Sequence, residues 1–205
     1  MKKLLVLLFS LFFLYSSSVI ADDISDFEIE GISIGDSLLD YMSEDEILKE
    51  IERKKNAYYY LNEPNKYGVV YLSKDLLTFE NLSFIVTNTP TSKYITNKNK
   101  NEKYIILFVR GILYYEEDFD GCIAKRDEIV EELSMMFPNA QKTENVFTTD
   151  EGTINDDVRF MFDSGDEVVV RCADLEENYR IKNNFSEGLS IAIETKEIYE
   201  WLSDY

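Results

Sequence analysis

The chain has no histidine at all among its 205 residues, and only two cysteines, three prolines and one tryptophan. Without imidazole there is no Ser-His-Asp triad, no Cys-His dyad and no His-ligated zinc or haem. Basic residues are also in short supply, with 21 Lys+Arg against 40 Asp+Glu and a formal net charge of −19. Nucleic acid and anionic lipid surfaces both require a basic face, so the charge argues against either as a partner. What remains is the composition of a folded protein, 45% hydrophobic and 14% aromatic.

The first 21 residues read as a secretory signal peptide. Lys2 and Lys3 supply a positive start, Leu4 to Leu14 an almost unbroken apolar run, and Val19-Ile20-Ala21 the small residues a signal peptidase accepts. Cleavage after Ala21 leaves a chain beginning Asp22-Asp23, and removing two lysines and no acid takes the net charge from −19 to −21. The competing reading is an uncleaved anchor. The apolar stretch is shorter than the ~20 residues a span needs, and Ser16, Ser17 and Ser18 weaken it further. No cysteine lies near the cut to carry a lipid, and no other stretch is apolar enough to cross a bilayer. The expectation is a periplasmic or secreted protein with no stable membrane insertion after cleavage.

Cys122 and Cys172 are the only cysteines. In an oxidising compartment such a pair forms a structural disulfide, the alternatives being two buried thiols or a redox pair. A Cys-x-x-Cys redox motif is absent.

Residues 22–205 are read as one domain, with a helical N-terminal part over 22–57 and a sheet-and-helix core over 58–205. Leu38 to Met42 is a candidate short helix. Ser43 and Glu46 then form a capping box for a helix reaching about Lys55, whose apolar positions are Ile47, Leu48 and Ile51. Val69 to Leu72, Leu82 to Thr87 and Tyr104 to Tyr115 are rich in β-branched and aromatic residues and read as strands. The last is apolar on both alternations, which predicts a strand covered on two faces. The polar stretch Thr89 to Lys103 between them is read as a long hairpin loop.

Asp120 is the expected cap of a helix running to about Phe137, with Cys122, Ile123, Ile129, Val130, Leu133, Met136 and Phe137 along one stripe and Pro138-Asn139 stopping it. Strands follow at Val158 to Phe162 and Glu167 to Cys172, joined by a turn at Asp163 to Asp166, and a third carries Leu189, Ile191 and Ile193 on one face. With Val168, Val170 and Cys172 covering the helix stripe, Cys172 points at the helix that carries Cys122. Lys196 to Leu202 reads as a terminal helix with Trp201 docking back. The fold class is therefore α+β, with a largely antiparallel sheet, a disulfide-tethered helix on one face and short N-terminal helices.

Two stretches carry a resemblance. Asp26-Phe27-Glu28-Ile29-Glu30-Gly31-Ile32-Ser33-Ile34-Gly35-Asp36-Ser37-Leu38-Leu39, together with the Asp120-Gly121-Cys122 to Phe137 segment, the Cys172 strand and Ile193-Glu194-Thr195-Lys196-Glu197, resembles secreted proteins of marine alphaproteobacteria with AT-rich genomes. That group has no assigned activity and so implies no catalytic residues. The Ile-x-x-Gly-x-Ser-Leu stretch also resembles the start of outer-membrane lipoproteins of the BamE type, without their lipidated cysteine. This second likeness implies an accessory role in envelope assembly.

The motif that comes nearest to chemistry is Glu116-Glu117-Asp118-Phe119-Asp120-Gly121. Read with Ile123 and Asp127 it approaches a calcium loop, Glu116, Asp118, Asp120 and Asp127 being the candidate ligands and Gly121 the turn. The first and last ligands are exchanged relative to the usual pattern, and the preceding segment looks like a strand. The plainer reading is a strand-to-helix turn whose acids favour the helix's positive end. Asp150 to Asp157 is a second acidic loop, and Tyr58-Tyr59-Tyr60 an aromatic run that could stack on sugars or pack in the core. Two carboxylates could serve a hydrolase, but only if the fold sets them across a cleft.

Two functional readings follow. The first is a non-catalytic exported module that binds an unidentified protein or small molecule, with no cofactor. The second is a secreted hydrolase working through carboxylates, with calcium as an assisting ion.

Overall fold

The computed structural model describes residues 24–56, 61, 66–87 and 103–204. The leader, Tyr58-Tyr59-Tyr60 and most of the Thr89 to Lys103 loop lie outside the described residues. Among the described residues, four α-helices and seven strands follow one another as α1 (Glu44–Lys54), β1 (Tyr67–Leu72), β2 (Asn81–Thr87), β3 (Ile105–Tyr114), α2 (Phe119–Met136), β4 (Gln141–Thr148), β5 (Ile154–Met161), β6 (Glu167–Asp174), α3 (Glu177–Asn183), β7 (Gly188–Glu194) and α4 (Lys196–Ser203). Two short 3-10 helices, Ile24–Asp26 and Leu38–Asp40, precede them.

All seven strands form one antiparallel sheet in the order β1-β2-β3-β7-β6-β5-β4. Two meanders, β1-β2-β3 and β4-β5-β6, are joined by the crossover of α2 to the far edge, and β7 then enters between them. The start of β3 is bordered on β7's side by the N-terminal strap, where Gly35 N–H donates to the Ile106 carbonyl at 2.9 Å and Ile106 N–H to that of Asp36 at 2.9 Å.

One face of the sheet meets both long helices and the N-terminal strap. Val70, Phe84, Val109, Phe160, Val170 and Ile193 pack there against Ile47 of α1 and against Ile129, Val130 and Leu133 of α2. Helix α1 begins at the expected capping box: Glu46 N–H donates to Ser43 Oγ at 3.4 Å, and Ser43 N–H donates to the Glu46 carboxylate at 3.1 Å. The cap of α2 falls on Asp118 instead of Asp120. Its carboxylate accepts from Gly121 N–H at 3.0 Å, because the chain already turns helical at Phe119.

The second face is divided. Over β1, β2 and the first half of β3, α4 closes a small apolar cluster of Tyr67, Val69, Ile85, Ile105, Leu107 and Ile198. Trp201 docks back on Tyr67 with ring centroids 4.6 Å apart. A bulge between Ile85 and Val86 lets Leu107 and Phe108 both turn to this side. Double coverage of β3 thus ends at Val109. From Arg110 to Tyr114 the second face of the strand is only half-buried or exposed, so the expected cover on two faces holds for the first half of the strand.

Cys122 and Cys172 are bonded, with Cα atoms 6.0 Å apart, and both side chains are fully buried. The bond ties the first turn of α2 to the far end of β6, and no free cysteine remains. Gly188, where β7 starts, has φ 142°, and a Cβ there would stand 2.3 Å from the Leu113 carbonyl oxygen, so glycine is required for β7 to slide in beside β3.

The bond closes a loop of 50 residues. Removing it with a Cys122→Ala/Cys172→Ala double variant is expected to cost about 4 kcal/mol by the chain-entropy model. Urea denaturation of the oxidised protein against the variant measures this, and a difference below about 1 kcal/mol would show that the constraint is idle.

Candidate functional site

The second face of β5, β6 and β7 carries no apolar cluster among the described residues. Alternation puts Asp157 and Arg159 of β5, Glu167 and Arg171 of β6, and Glu194 of β7 on this side, because Val158, Phe160, Val168, Val170, Cys172 and Ile193 take the helix side. These five ionisable residues form one connected patch.

Asp157 is its centre and is 0% exposed. The Arg171 guanidinium reaches it as a fork, Nε at 2.5 Å from one carboxylate oxygen and Nη2 at 2.6 Å from the other. Arg159 donates to Asp157 through Nη2 at 3.1 Å and to Glu167 through Nη1 at 2.6 Å. Two-pronged arginine–carboxylate pairs are among the strongest polar contacts a protein can build. The Arg171 guanidinium also sits 5.8 Å from the centre of the Phe147 ring on β4.

Glu194 is paired in register with Glu167 on the neighbouring strand. Two arginines already balance Asp157 and Glu167, so a third negative charge here would be unmatched. Burial first, and the Glu167 charge second, push the Glu194 carboxyl up to about 7. Glu167 is itself raised by burial, with Arg159 opposing the shift. The pair therefore holds a proton between two carboxyl groups near neutral pH.

The sequence-derived candidates are placed elsewhere, on the helix side of the sheet, in the turn before α2 and along α2 itself. Asp118 serves as the α2 cap, Asp120 sits in the first turn, and Glu116 lies in the turn before it. Asp127 is two turns further on and pairs with Arg126 at 2.7 Å. Among the described residues no group of three or more His, Cys, Asp or Glu is arranged to hold a metal ion. The second acidic stretch is not a loop throughout: Ile154 to Asp157 belongs to β5, and its last residue is the buried centre of the patch.

Hollows among the described residues lie on the helix side. One of about 150 Å³ lies by the disulfide, lined by Tyr115, Glu117, Phe119, Cys122, Asp174 and Glu187 among others. Glu187 is engaged there, accepting from the N–H groups of Glu117 at 2.9 Å and Leu175 at 3.2 Å. The other, about 360 Å³ and open, lies between α2 and β4, where Arg126 pairs with Asp127 and Asp156. Neither reaches the Asp157 patch. The edge strand β4 is exposed at all eight positions, Val146 and Phe147 included, and pairs on one side only.

No family model, no curated protein and no solved structure matches this chain.

Two outcomes test the patch. Asp157→Asn is expected to destabilise the fold by about 3 kcal/mol, since it strips two guanidinium groups of a buried partner; urea midpoints measure this. For Glu194, the native carboxyl binds its proton more tightly than the unfolded one. Its contribution to stability is complete below pH ~4.5 and is lost as the pH rises through about 7. The stability of Glu194→Gln relative to the native protein is therefore expected to improve between pH 5 and pH 8, by an amount on the order of 2 kcal/mol. A difference that stays flat with pH would reject the shared proton.

Proposed function

We propose that this protein is exported and acts as a non-catalytic binding or interaction module outside the cytoplasm. The leader-like start and the Cys122–Cys172 bond support export, because such bonds persist where thiols are oxidised. The observation that carries the interaction reading is β4, an eight-residue edge strand with every position exposed and one side of its backbone unpaired. Edges of this kind extend a sheet by taking up a further strand, and buried-sheet proteins otherwise shield them.

One observation favours a hydrolase instead: Glu194 and Glu167 are neighbouring carboxyls that burial pushes up, Glu194 to about 7, in the range an acid–base catalyst uses. Their geometry favours the structural role. They are side-by-side neighbours on adjacent strands facing the same way, and two catalytic carboxylates need a substrate between them.

Fractionation of cells followed by intact-mass measurement tests the export reading. The expected product is an extracytoplasmic chain starting at Asp22 and lighter by two hydrogens than its reduced form. A cytosolic chain with its leader and two thiols would overturn it. Assay on chromogenic glycosides and esters tests the non-catalytic part, with no turnover expected. Turnover abolished by Glu167→Gln or Glu194→Gln would establish the hydrolase.

A further inference from the structure

Arg110 is the one arginine of the six without a carboxylate partner among the described residues. Arg53, Arg126, Arg159, Arg171 and Arg180 are all ion-paired. In a chain with 40 acidic residues and 21 basic ones, a lone guanidinium is not explained by scarcity of acids. Its Nε is shielded from solvent and makes no hydrogen bond.

Two more orphaned polar atoms lie beside it. Ser83 stands directly opposite Arg110 in the β2–β3 register, is 3% exposed, and its Oγ has no partner. Asn81, two residues along β2 on the same face, has a buried Oδ1 that accepts from nothing. All three residues belong to the second face, since Leu82, Phe84 and Val109 face the helices. Buried polar groups in native folds are satisfied as a rule, and an orphan indicates a function or a missing ligand. Three orphans on one strand pair, one of them on an unpaired cation, form a donor–donor–acceptor set without its complement.

We propose that Arg110, Ser83 and Asn81 form a binding site for a small monocarboxylate that also carries a hydroxyl or ammonium donor. The inference deepens the binding-module reading and rests on it. The Nε edge of the guanidinium presents two parallel N–H donors to the two oxygens of a carboxylate. The Ser83 hydroxyl donates to one of those oxygens. Asn81 Oδ1 then accepts from the ligand's own donor, placed along the strand by a two-residue repeat of ~6.6 Å between Cα atoms. The charge selects a monoanion: one fixed cation matches one carboxylate, while the net charge of −19 opposes a phosphate dianion and favours an added ammonium.

Titration calorimetry on the disulfide-intact protein at low salt tests the site with four probes: acetate, 3-hydroxybutyrate, β-alanine and inorganic phosphate. The expected result is saturable binding of 3-hydroxybutyrate or β-alanine at least tenfold tighter than acetate, with phosphate weaker still. Arg110→Gln is expected to weaken that binding at least tenfold and Ser83→Ala several-fold. Asn81→Leu should bring the tighter probe down to the level of acetate. Thermal melts of the small-change variant Ser83→Ala show whether the fold is retained, so the site remains testable if Arg110→Gln does not fold. No saturable binding of any probe, or a preference for phosphate, overturns the proposal. Binding that none of the three substitutions alters rejects this site while leaving the binding-module reading standing, and a cytosolic, reduced chain removes the reading on which both depend.

Discussion

The covalent bond between Cys122 and Cys172 fixes how the two halves of this protein meet. Helix α2 must leave β3, cross the sheet and deliver the chain to the far edge, where β4 begins. A crossover that long leaves its own height and angle underdetermined by chain connectivity. The bond sets both, since it fastens the first turn of α2 to the Asp174 end of β6 with 6.0 Å between Cα atoms. The apolar stripe of Ile129, Val130 and Leu133 then lies along Val158, Val168 and Ile193 instead of sliding over them. The polar patch on the reverse side inherits that placement, because the same strands β5, β6 and β7 carry the helix-facing valines and the patch on alternate residues.

Electrostatics on the patch follow from counting. Asp157 and Glu167 match Arg159 and Arg171, and the position beside them falls to Glu194, a carboxyl that burial and the Glu167 charge make slow to give up its proton. Buried ion pairs give little net stability over apolar packing, but they specify register strongly, because a slip by one residue would turn Asp157 into the apolar layer under α2. The patch is in this sense the counterpart of the apolar face, securing pairing where no helix covers the sheet.

Much of the architecture was legible in residue pattern. The Ser43–Glu46 box, the stripe of α2, the alternation of Val168, Val170 and Cys172, and the terminal turn around Trp201 all follow from burial on one face, and burial is what sequence periodicity records. The elements without a sequence signal bury nothing of their own. Gln141 to Thr148 has every residue exposed and is a strand only through its backbone bonds to β5. Glu177 to Asn183 has no buried residue and is held by its caps, Glu176 at one end and the left-handed Asn184 at the other. The polar patch was hidden for a related reason. Asp156-Asp157 reads as part of a solvated loop, and only the pairing of β5 with β6 reveals that one of these two acids is sealed under two arginines. The unpartnered set of Asn81, Ser83 and Arg110 sits in stretches that read as ordinary strand, and an orphaned hydrogen bond leaves no mark in a sequence.

The strand order has a bearing on how such a chain reaches its final form. Its middle strand, Gly188–Glu194, is the last of the seven along the polypeptide. While a chain emerges from amino to carboxyl end, both three-stranded halves can assemble, and the sulfur bridge can close, with the seam between β3 and β6 still open. Two raw inner margins then face one another until the final tenth or so of the polypeptide arrives to zip them together. Anything that truncates or delays that closing segment leaves two sticky half-sheets on a leash, a species far more prone to join its neighbours than either the nascent chain or the finished fold.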